Sequence, residues 1–421
     1  MQRAVFKFQD FSKKQRSLLD WWVETSPEKD CDGIIADGAI RSGKTVGMSL
    51  SYIIWAMESF RDQNFIMAGK TIGSFRRNVL LPLKLMLYSR GYKYEDHRSD
   101  NLLVVTKKGV KNSFFIFGGR DERSQDLVQG ITAAGAFFDE VALMPESFVN
   151  QATGRCSVEG SKFWFNCNPA GPYHWFKTNW IDKAERHRLL YLHFTMDDNL
   201  SLAESIKERY RRQYSGVFFK RYILGLWVMA EGLIYDMFSP EKNVVKEPPA
   251  IVPNTYYVSC DYGTQNATVF LLWGKAADGI WYCIREYYYS GRDTQSQKTD
   301  TEYADDLTKW LDGVAIQKIV VDPSAASFIA ELKKRGYQVK KARNDVLDGI
   351  RIVSSALANN QIMICSDCRM TIQEFASYVW DEKAADRGED KPVKQFDHAM
   401  DAVRYFCYTI IRKPTGIGIL K

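Results

Sequence analysis

Two groups of residues in this chain have types and spacings that could do chemistry. The first is GAIRSGKT, Gly38 to Thr45, in which a glycine and four residues precede Gly-Lys-Thr. In that spacing, backbone N–H groups of a tight turn and of the next helix's N-terminus cradle phosphate oxygens, so Gly38, Ser42 and Gly43 fall in the cradle. Lys44 would then neutralise the β- and γ-phosphates of a nucleoside triphosphate, and the Thr45 hydroxyl would bind Mg²⁺. The run AAGAFFDE supplies a second acidic element at a strand end. Asp139 is placed to hold Mg²⁺ through water, and Glu140 to polarise an attacking water as general base. An adjacent Asp-Glu pair suits hydrolysis better than nucleotide storage. FWFNCNPAGP stops an apolar strand at Asn168-Pro169, where the amide could sense the γ-phosphate; a plain strand-to-turn boundary accounts for it equally well. Arg41, inside the loop, could face either the transferring group or solvent.

The second group is acidic. Asp261 follows the strand-like YYVSC, Asp322 follows IVV, and Asp397 and Asp401 lie four apart on FDHAMDAVRYFCY, with His398 between them. Four apart on a helix is one face. Each acid alone is most simply a turn or helix cap, and Asp397 could be the N-cap of its own helix. Taken together, acids at a first strand, a later strand and a final helix resemble the ribonuclease H/integrase nuclease fold. Phosphodiester cleavage there uses two Mg²⁺ or Mn²⁺ ions about 4 Å apart, for which carboxylates are the hard oxygen ligands.

These residues need two scaffolds. At 421 residues the chain exceeds one ordinary core, and 45% hydrophobic with 26% charged residues is a globular composition. No apolar run reaches the roughly 18 residues of a membrane span and the N-terminus lacks a signal-peptide core, so a cytoplasmic protein is expected. The net charge of +6 permits a polyanionic partner without requiring one. The eight cysteines are scattered and read as reduced, and Cys365-x-x-Cys368 has no second pair to complete a zinc site.

Up to about residue 180, apolar runs of strand and helix type alternate, which predicts an α/β domain with a parallel-rich sheet. From 181 to 235 the pattern is helical and basic, a small subdomain. Its Lys207, Arg209, Arg211, Arg212, Lys220 and Arg221 could grip a phosphate backbone, while Tyr210, Tyr214 and Phe218, four apart, read as a buried helical face. A proline-rich edge follows, then a second α/β pattern over 236–412 that opens on a meander, and a tail at 413–421.

A phosphate-loop ATPase followed by a ribonuclease H-like nuclease resembles the large terminase subunit of tailed bacteriophages. The resemblance runs through GAIRSGKT, FFDE, FNCNP, GLWVMAEGLIYDMF, CDYG, VVDPS and DHAMDAVRY, in that order. It implies an ATP-hydrolysing motor that moves double-stranded DNA into a procapsid, and a metal-dependent endonuclease that cuts the concatemer. ATP with Mg²⁺ would serve the first site and two Mg²⁺ or Mn²⁺ the second. The implied partners are double-stranded DNA, the portal protein, a small terminase subunit, and further copies in a ring on the portal, with no membrane. By position, Lys44, Thr45 and Arg41 take the phosphate-loop roles, Asp139 the Mg²⁺ carboxylate, Glu140 the base and Asn168 the coupling residue. Gln15 matches an adenine-contacting glutamine, and Arg155 is a candidate for an arginine donated by a neighbouring subunit. Asp261, Asp322 and Asp401 become the nuclease ligands, joined by Asp397 or His398. The middle segment would be a lid relaying ATPase motion, and the charged insert 381–395 a loop near DNA. The alternatives are a nucleotide-switched structural adaptor of a phage particle and a helicase-nuclease type of motor.

Overall fold

The structure, a computed structural model, describes residues 8–263, 267–290 and 296–411. The expected tail at 413–421 lies outside these residues. The chain divides into two compact units.

The first unit comprises residues up to Arg211 together with Phe219–Met229. Its strands are β1 (Gly33–Gly38), β2 (Asn64–Gly69), β3 (Lys93–His97), β4 (Leu102–Lys107), β5 (Val110–Gly118), β6 (Gly135–Asp139), β7 (Lys162–Asn166) and β8 (Leu189–Phe194). Among the described residues they form one sheet in the order β3-β4-β5-β2-β6-β7-β1-β8, parallel from β5 to β8 and closed by an antiparallel hairpin at the other edge. Both faces are covered, as a parallel sheet requires. Consecutive residues therefore enter opposite cores: Phe137 and Trp164 pack with Tyr52 and Trp55 of helix Lys44–Ser59, while Phe138 and Phe165 pack with Phe148 and Phe176. Trp55 and Trp164 meet at 4.7 Å, and Phe138 stacks on Phe165 at 5.3 Å. This arrangement places the carboxyl ends of β1 and β6 side by side around β7.

The expected helical subdomain at 181–235 is corrected in two respects. Leu189–Phe194 is the edge strand β8, hydrogen-bonded parallel to β1 along its whole length, because the apolar LLYLHF finds an open sheet edge. The predicted continuous helix also stops: helix Glu204–Gln213 buries none of its residues, and Gly216 at φ +52° breaks the path before the buried Phe218. Residues through Arg211 and 219–229 belong with the first unit, and Arg212–Phe218 and 230 onward with the second.

The second unit contains β9 (Val244–Val245), β10 (Tyr257–Asp261), β11 (Ala267–Lys275), β12 (Trp281–Ser290), β13 (Lys318–Val321), β14 (Val339–Lys341) and β15 (Ile362–Cys365). Their order is β14-β13-β10-β11-β12-β15-β9. The β10-β11-β12 meander is antiparallel, with β13 and β14 added parallel beside β10, which is the ribonuclease H-like arrangement. One face packs on helices Asp300–Leu311 and Ala326–Lys334 through Tyr303, Leu307 and Phe328. The other receives helix His398–Phe406, whose Phe406 stacks on Trp273 at 4.2 Å and nearly parallel. The carboxyl ends of β10 and β13 and the start of that helix are thereby gathered together.

Trp164 is fully buried between helix and sheet, so Trp164→Ala is expected to cost about 3–5 kcal/mol. Denaturant titration of the whole chain should show the loss as a lowered midpoint for the first unit. A midpoint within a few tenths molar of wild type would contradict this packing.

Candidate functional sites

The phosphate loop follows from glycine chemistry at two points. Gly38 and Gly43 adopt φ +120° and +85°, and a Cβ at Gly38 would lie 2.0 Å from the Phe194 carbonyl oxygen. At Gly43 a Cβ would meet the Gln15 amide at 2.4 Å. Only glycine lets the chain turn here. Arg41 also has positive φ, with its carbonyl accepting from Asn199 at 2.7 Å and its guanidinium 5.4 Å over the Tyr210 ring. The aromatic predicted as helix core is thus stacked on the loop arginine. Ser42 is buried and donates to the Ala39 carbonyl.

Lys44 is buried at the centre of the loop. Its ammonium group donates to the carbonyls of Gly38 and Ala39 at 3.1 and 2.6 Å, to Ser42 Oγ at 3.1 Å and to Asn168 Oδ1 at 3.2 Å. Burial pulls its pKa down to about 8, opposed by the neighbouring charges of Asp37 and Asp139. Thr45 donates to Asp139 Oδ1 at 3.0 Å. Asp139 is itself buried, which raises its pKa despite hydrogen bonds from Asn166 and Thr45. A hydroxyl and a carboxylate meeting beside the loop lysine are the oxygen donors that Mg²⁺ prefers. Glu140 follows in the left-handed conformation at φ +60°, a strained placement for a residue with a Cβ. Gln15 is fixed by a capping box with Ser12 and donates to the Ser42 carbonyl at 3.3 Å. Arg155 lies elsewhere: its carbonyl accepts from Ala133, ahead of β6 and at the opposite end of that strand from Asp139.

Two residues here were not anticipated. Asn166 donates to Thr45 Oγ1 at 2.9 Å and to Asp139, and it sits two residues before Asn168 in the same strand motif. Asp37, fully buried at the end of β1, is held by His193 Nδ1 at 2.9 Å and by the indole N–H of Trp227 at 2.6 Å. Its only signal in the sequence is one charge inside the apolar GIIADG. Three of the six cations of the middle segment are engaged within the protein: Lys207 pairs with Asp197 at 2.7 Å, Arg211 with Glu204 at 2.7 Å, and the buried Arg221 donates to the Val228 carbonyl.

In the second unit, Asp261 ends β10 and its Oδ2 lies 3.0 Å from His398 Nδ1. Burial raises its pKa to about 6; the hydrogen bond from His398 opposes this, and the charges of Asp401 and Asp397 add to it. Asp322, just past β13, accepts from the Ser324 backbone at 2.7 Å and from Asn344 at 3.4 Å. For Asp322 burial is outweighed by hydrogen bonds from Ser324, Tyr405 and Asn344, and the pKa falls. Asp401 Oδ1 accepts from Arg404 Nη2 at 2.7 Å, and its Oδ2 faces Lys394. Asp397 stands at the N-cap position without capping the helix. Both of the alternatives, Asp397 and His398, therefore stand at the cluster, the first beside Lys394 and the second on Asp261. Like charges gathered in a buried place fit a divalent cation, which would relieve their repulsion. Among the described residues, however, no group of three or more His, Cys, Asp or Glu is already arranged around one ion position. Cys365 and Cys368 are buried free thiols, with Cys368 beside Cys283.

Glu374 does the capping that Asp397 does not. Its Oε2 accepts from the backbone N–H groups of Ala399 and Met400 at 2.7 and 3.1 Å, and Tyr288 donates to its Oε1. A negative charge at a helix N-terminus is favourable there. Glu374's own helix is held by Glu286, which accepts from the N–H groups of Met370 and Thr371. A lone acid between Ile372 and Phe375 was the available signal.

A phosphate loop with a paired Thr-Asp, followed by a ribonuclease H-like unit with converging acids, defines a nucleotide-binding protein that carries a second, carboxylate centre. Comparison with known proteins agrees. Residues 35–240 match the family model "Terminase large subunit, T4likevirus-type, N-terminal". The large terminase from a thermophilic bacteriophage is 61% identical, covering 96% of this chain and 100% of that one, at a TM-score of 0.92. The same relative in complex with ATP-gamma-S is 60% identical over the same shares, with a TM-score of 0.89. The terminase large subunit of Escherichia phage T5 is 24% identical over 302 residues, and the match spans 65% of each chain. The chain belongs to the large terminase family of bacteriophages.

Burial raises the Glu374 pKa from 4.5 to about 7, against hydrogen bonds from Met400, Tyr288 and Ala399. Between those values the folded state binds more protons than the unfolded one, so this group's contribution to stability falls as pH rises from about 4.5 to 7, by up to roughly 3 kcal/mol. Glu374→Gln keeps an accepting oxygen and removes the titration. Urea midpoints at pH 5, 6 and 7 should therefore decline less steeply in Glu374→Gln than in wild type, and equal slopes would refute the assignment.

Proposed function

We propose that this chain is the ATP-hydrolysing motor and endonuclease of bacteriophage genome packaging. The observation that carries the reading is the presence of two separately built charge centres in one chain: Lys44, Thr45 and Asp139 at the phosphate loop, and Asp261, Asp322 and Asp401 in the ribonuclease H-like unit, at the ends of β10 and β13 and on the helix His398–Phe406. The relationship to the thermophilic bacteriophage's large terminase, which has been captured with ATP-gamma-S, supports nucleotide binding at the first.

At the first centre the loop amides and Lys44 hold the triphosphate. Lys44 exchanges the carbonyls of Gly38 and Ala39 for β- and γ-phosphate oxygens, while Asn168 keeps contact with it. Thr45 and Asp139 supply the Mg²⁺ ligands, and Gln15 contacts the adenine. Arg41 stabilises charge on the transferring group, and Glu140 takes a proton from the attacking water. Arg155, remote from its own site, is available to a neighbouring copy in a ring. At the second centre Asp261, Asp322 and Asp401, with Asp397 or His398, hold two Mg²⁺ or Mn²⁺. Such ions activate water and stabilise the leaving oxygen in phosphodiester cleavage. Double-stranded DNA is moved by the first activity and cut by the second, and the portal protein and a small terminase subunit are the partners. No helix among the described residues is long and apolar enough to cross a membrane, which fits action in the host cytoplasm.

In the full chain, Lys44→Ala is expected to lower ATP hydrolysis by at least about 10³-fold while Mn²⁺-dependent nicking of supercoiled plasmid survives. Asp401→Ala should do the reverse. Loss of both activities in each folded variant would sink the two-centre reading. DNA contacts that are mostly to phosphates should make cleavage weaken steeply between 50 and 200 mM salt, with little sequence preference. A sharp recognition sequence cut by the purified chain would contradict that.

A further inference from the structure

We propose that Lys394 is a resident cation of the nuclease centre, bridging Asp397 and Asp401, and that it must swing out before a divalent ion can take the Asp401 carboxylate. The inference rests on the reading of this cluster as a metal-dependent nuclease centre.

The oxygens available at Asp401 define the competition. Oδ1 is committed to Arg404, through Nη2 at 2.7 Å and Nε at 3.3 Å. That arginine is itself anchored, with a side chain only 3% exposed and Nη1 donating to the Asn344 carbonyl at 2.8 Å. Oδ2 is therefore the oxygen left for a ligand, and the Lys394 ammonium lies 3.5 Å from it. The same ammonium is 3.1 Å from Asp397 Oδ2. An ammonium and a metal ion seek the same lone pairs, so they exclude one another at these two oxygens.

The two sides of the bridge differ in freedom. The Asp397 and Asp401 side chains are 8% and 12% exposed, whereas that of Lys394 is 63% exposed. Lys394 also lies in the polar segment just before the helix, two residues ahead of Phe396, which is exposed and has φ +52°. The acids are fixed and the cation is on a tether. Partly exposed ion pairs of this kind are weak, so exchange is easy. The cluster's arrangement agrees with a filled position: the like charges of Asp397 and Asp401 are bridged by an ammonium.

The swing has a natural acceptor. A phosphodiester backbone brought to the centre offers anionic oxygens to the released ammonium. Metal loading at Asp401 and DNA arrival would then favour each other, and the centre would hold its metal most weakly in the absence of DNA.

Mn²⁺ alone is the probe, titrated calorimetrically into the full-length protein at low ionic strength. Asp401→Asn identifies the part of the isotherm that belongs to this centre, separating it from any Mn²⁺ at the phosphate loop. Removing a unit charge and freeing two oxygens should tighten the Asp401-dependent binding at least about fivefold in Lys394→Gln. Lys394→Arg, which retains the cation, should stay near wild type. Unchanged or weaker binding in Lys394→Gln would overturn the inference and leave the nuclease reading intact. No Asp401-dependent Mn²⁺ binding in either protein would overturn that reading, and the inference with it.

Discussion

Lys44 carries an ammonium group into a place nearly closed to water, and the first unit is organised around holding that charge. Two carbonyls of its own loop, a serine hydroxyl and the Asn168 amide surround it, and Asp37 and Asp139 supply negative charge from the ends of β1 and β6. The demand propagates outward, since Asp37 is buried as well and needs partners of its own. It finds His193 on the edge strand β8 and Trp227 on the segment 219–229, so both are tied to the base of the loop. An uncompensated buried charge costs several kcal/mol, which explains why the loop recruits so many neighbours.

The second unit meets the same rule with the sign reversed. Asp261, Asp397 and Asp401 crowd where β10 meets the helix His398–Phe406; Arg404 and Lys394 are the answering cations, and His398 is hydrogen-bonded to Asp261. The position of that helix is held by a carboxylate at its N-terminus, Glu374, whose own helix is held by Glu286 on β12. The acids are therefore located by the sheet and by a chain of helix caps, not by local turn chemistry.

Much of this was legible in the residues. GAIRSGKT and FFDE announce a phosphate loop and its acidic partner because turn, helix start and strand end are local events. Alternating apolar runs foretell the layers, and the spacing of Asp397 and Asp401 foretells a shared face. The middle segment misled for an equally physical reason. LLYLHF has no strong propensity of its own and becomes a strand only because β1 offers an unpaired edge. Tyr210 looks like core at helical spacing, yet it stacks on Arg41, a partner 169 positions away in the chain.

The sequence by itself determined the inventory: a triphosphate cradle, an acid pair, three dispersed aspartates, and the periodicities that sort them into two α/β units. Those features depend on neighbours within a turn or two, where backbone geometry and capping chemistry dominate. Only the tertiary structure decided which charges meet. That Asp37 binds His193 and Trp227, that Asn166 joins Thr45 to Asp139, and that Lys394 sits between two carboxylates are contacts set by strand order and helix placement. The compensation of buried charge is a long-range requirement, satisfied by whichever residues the fold brings within about 3 Å.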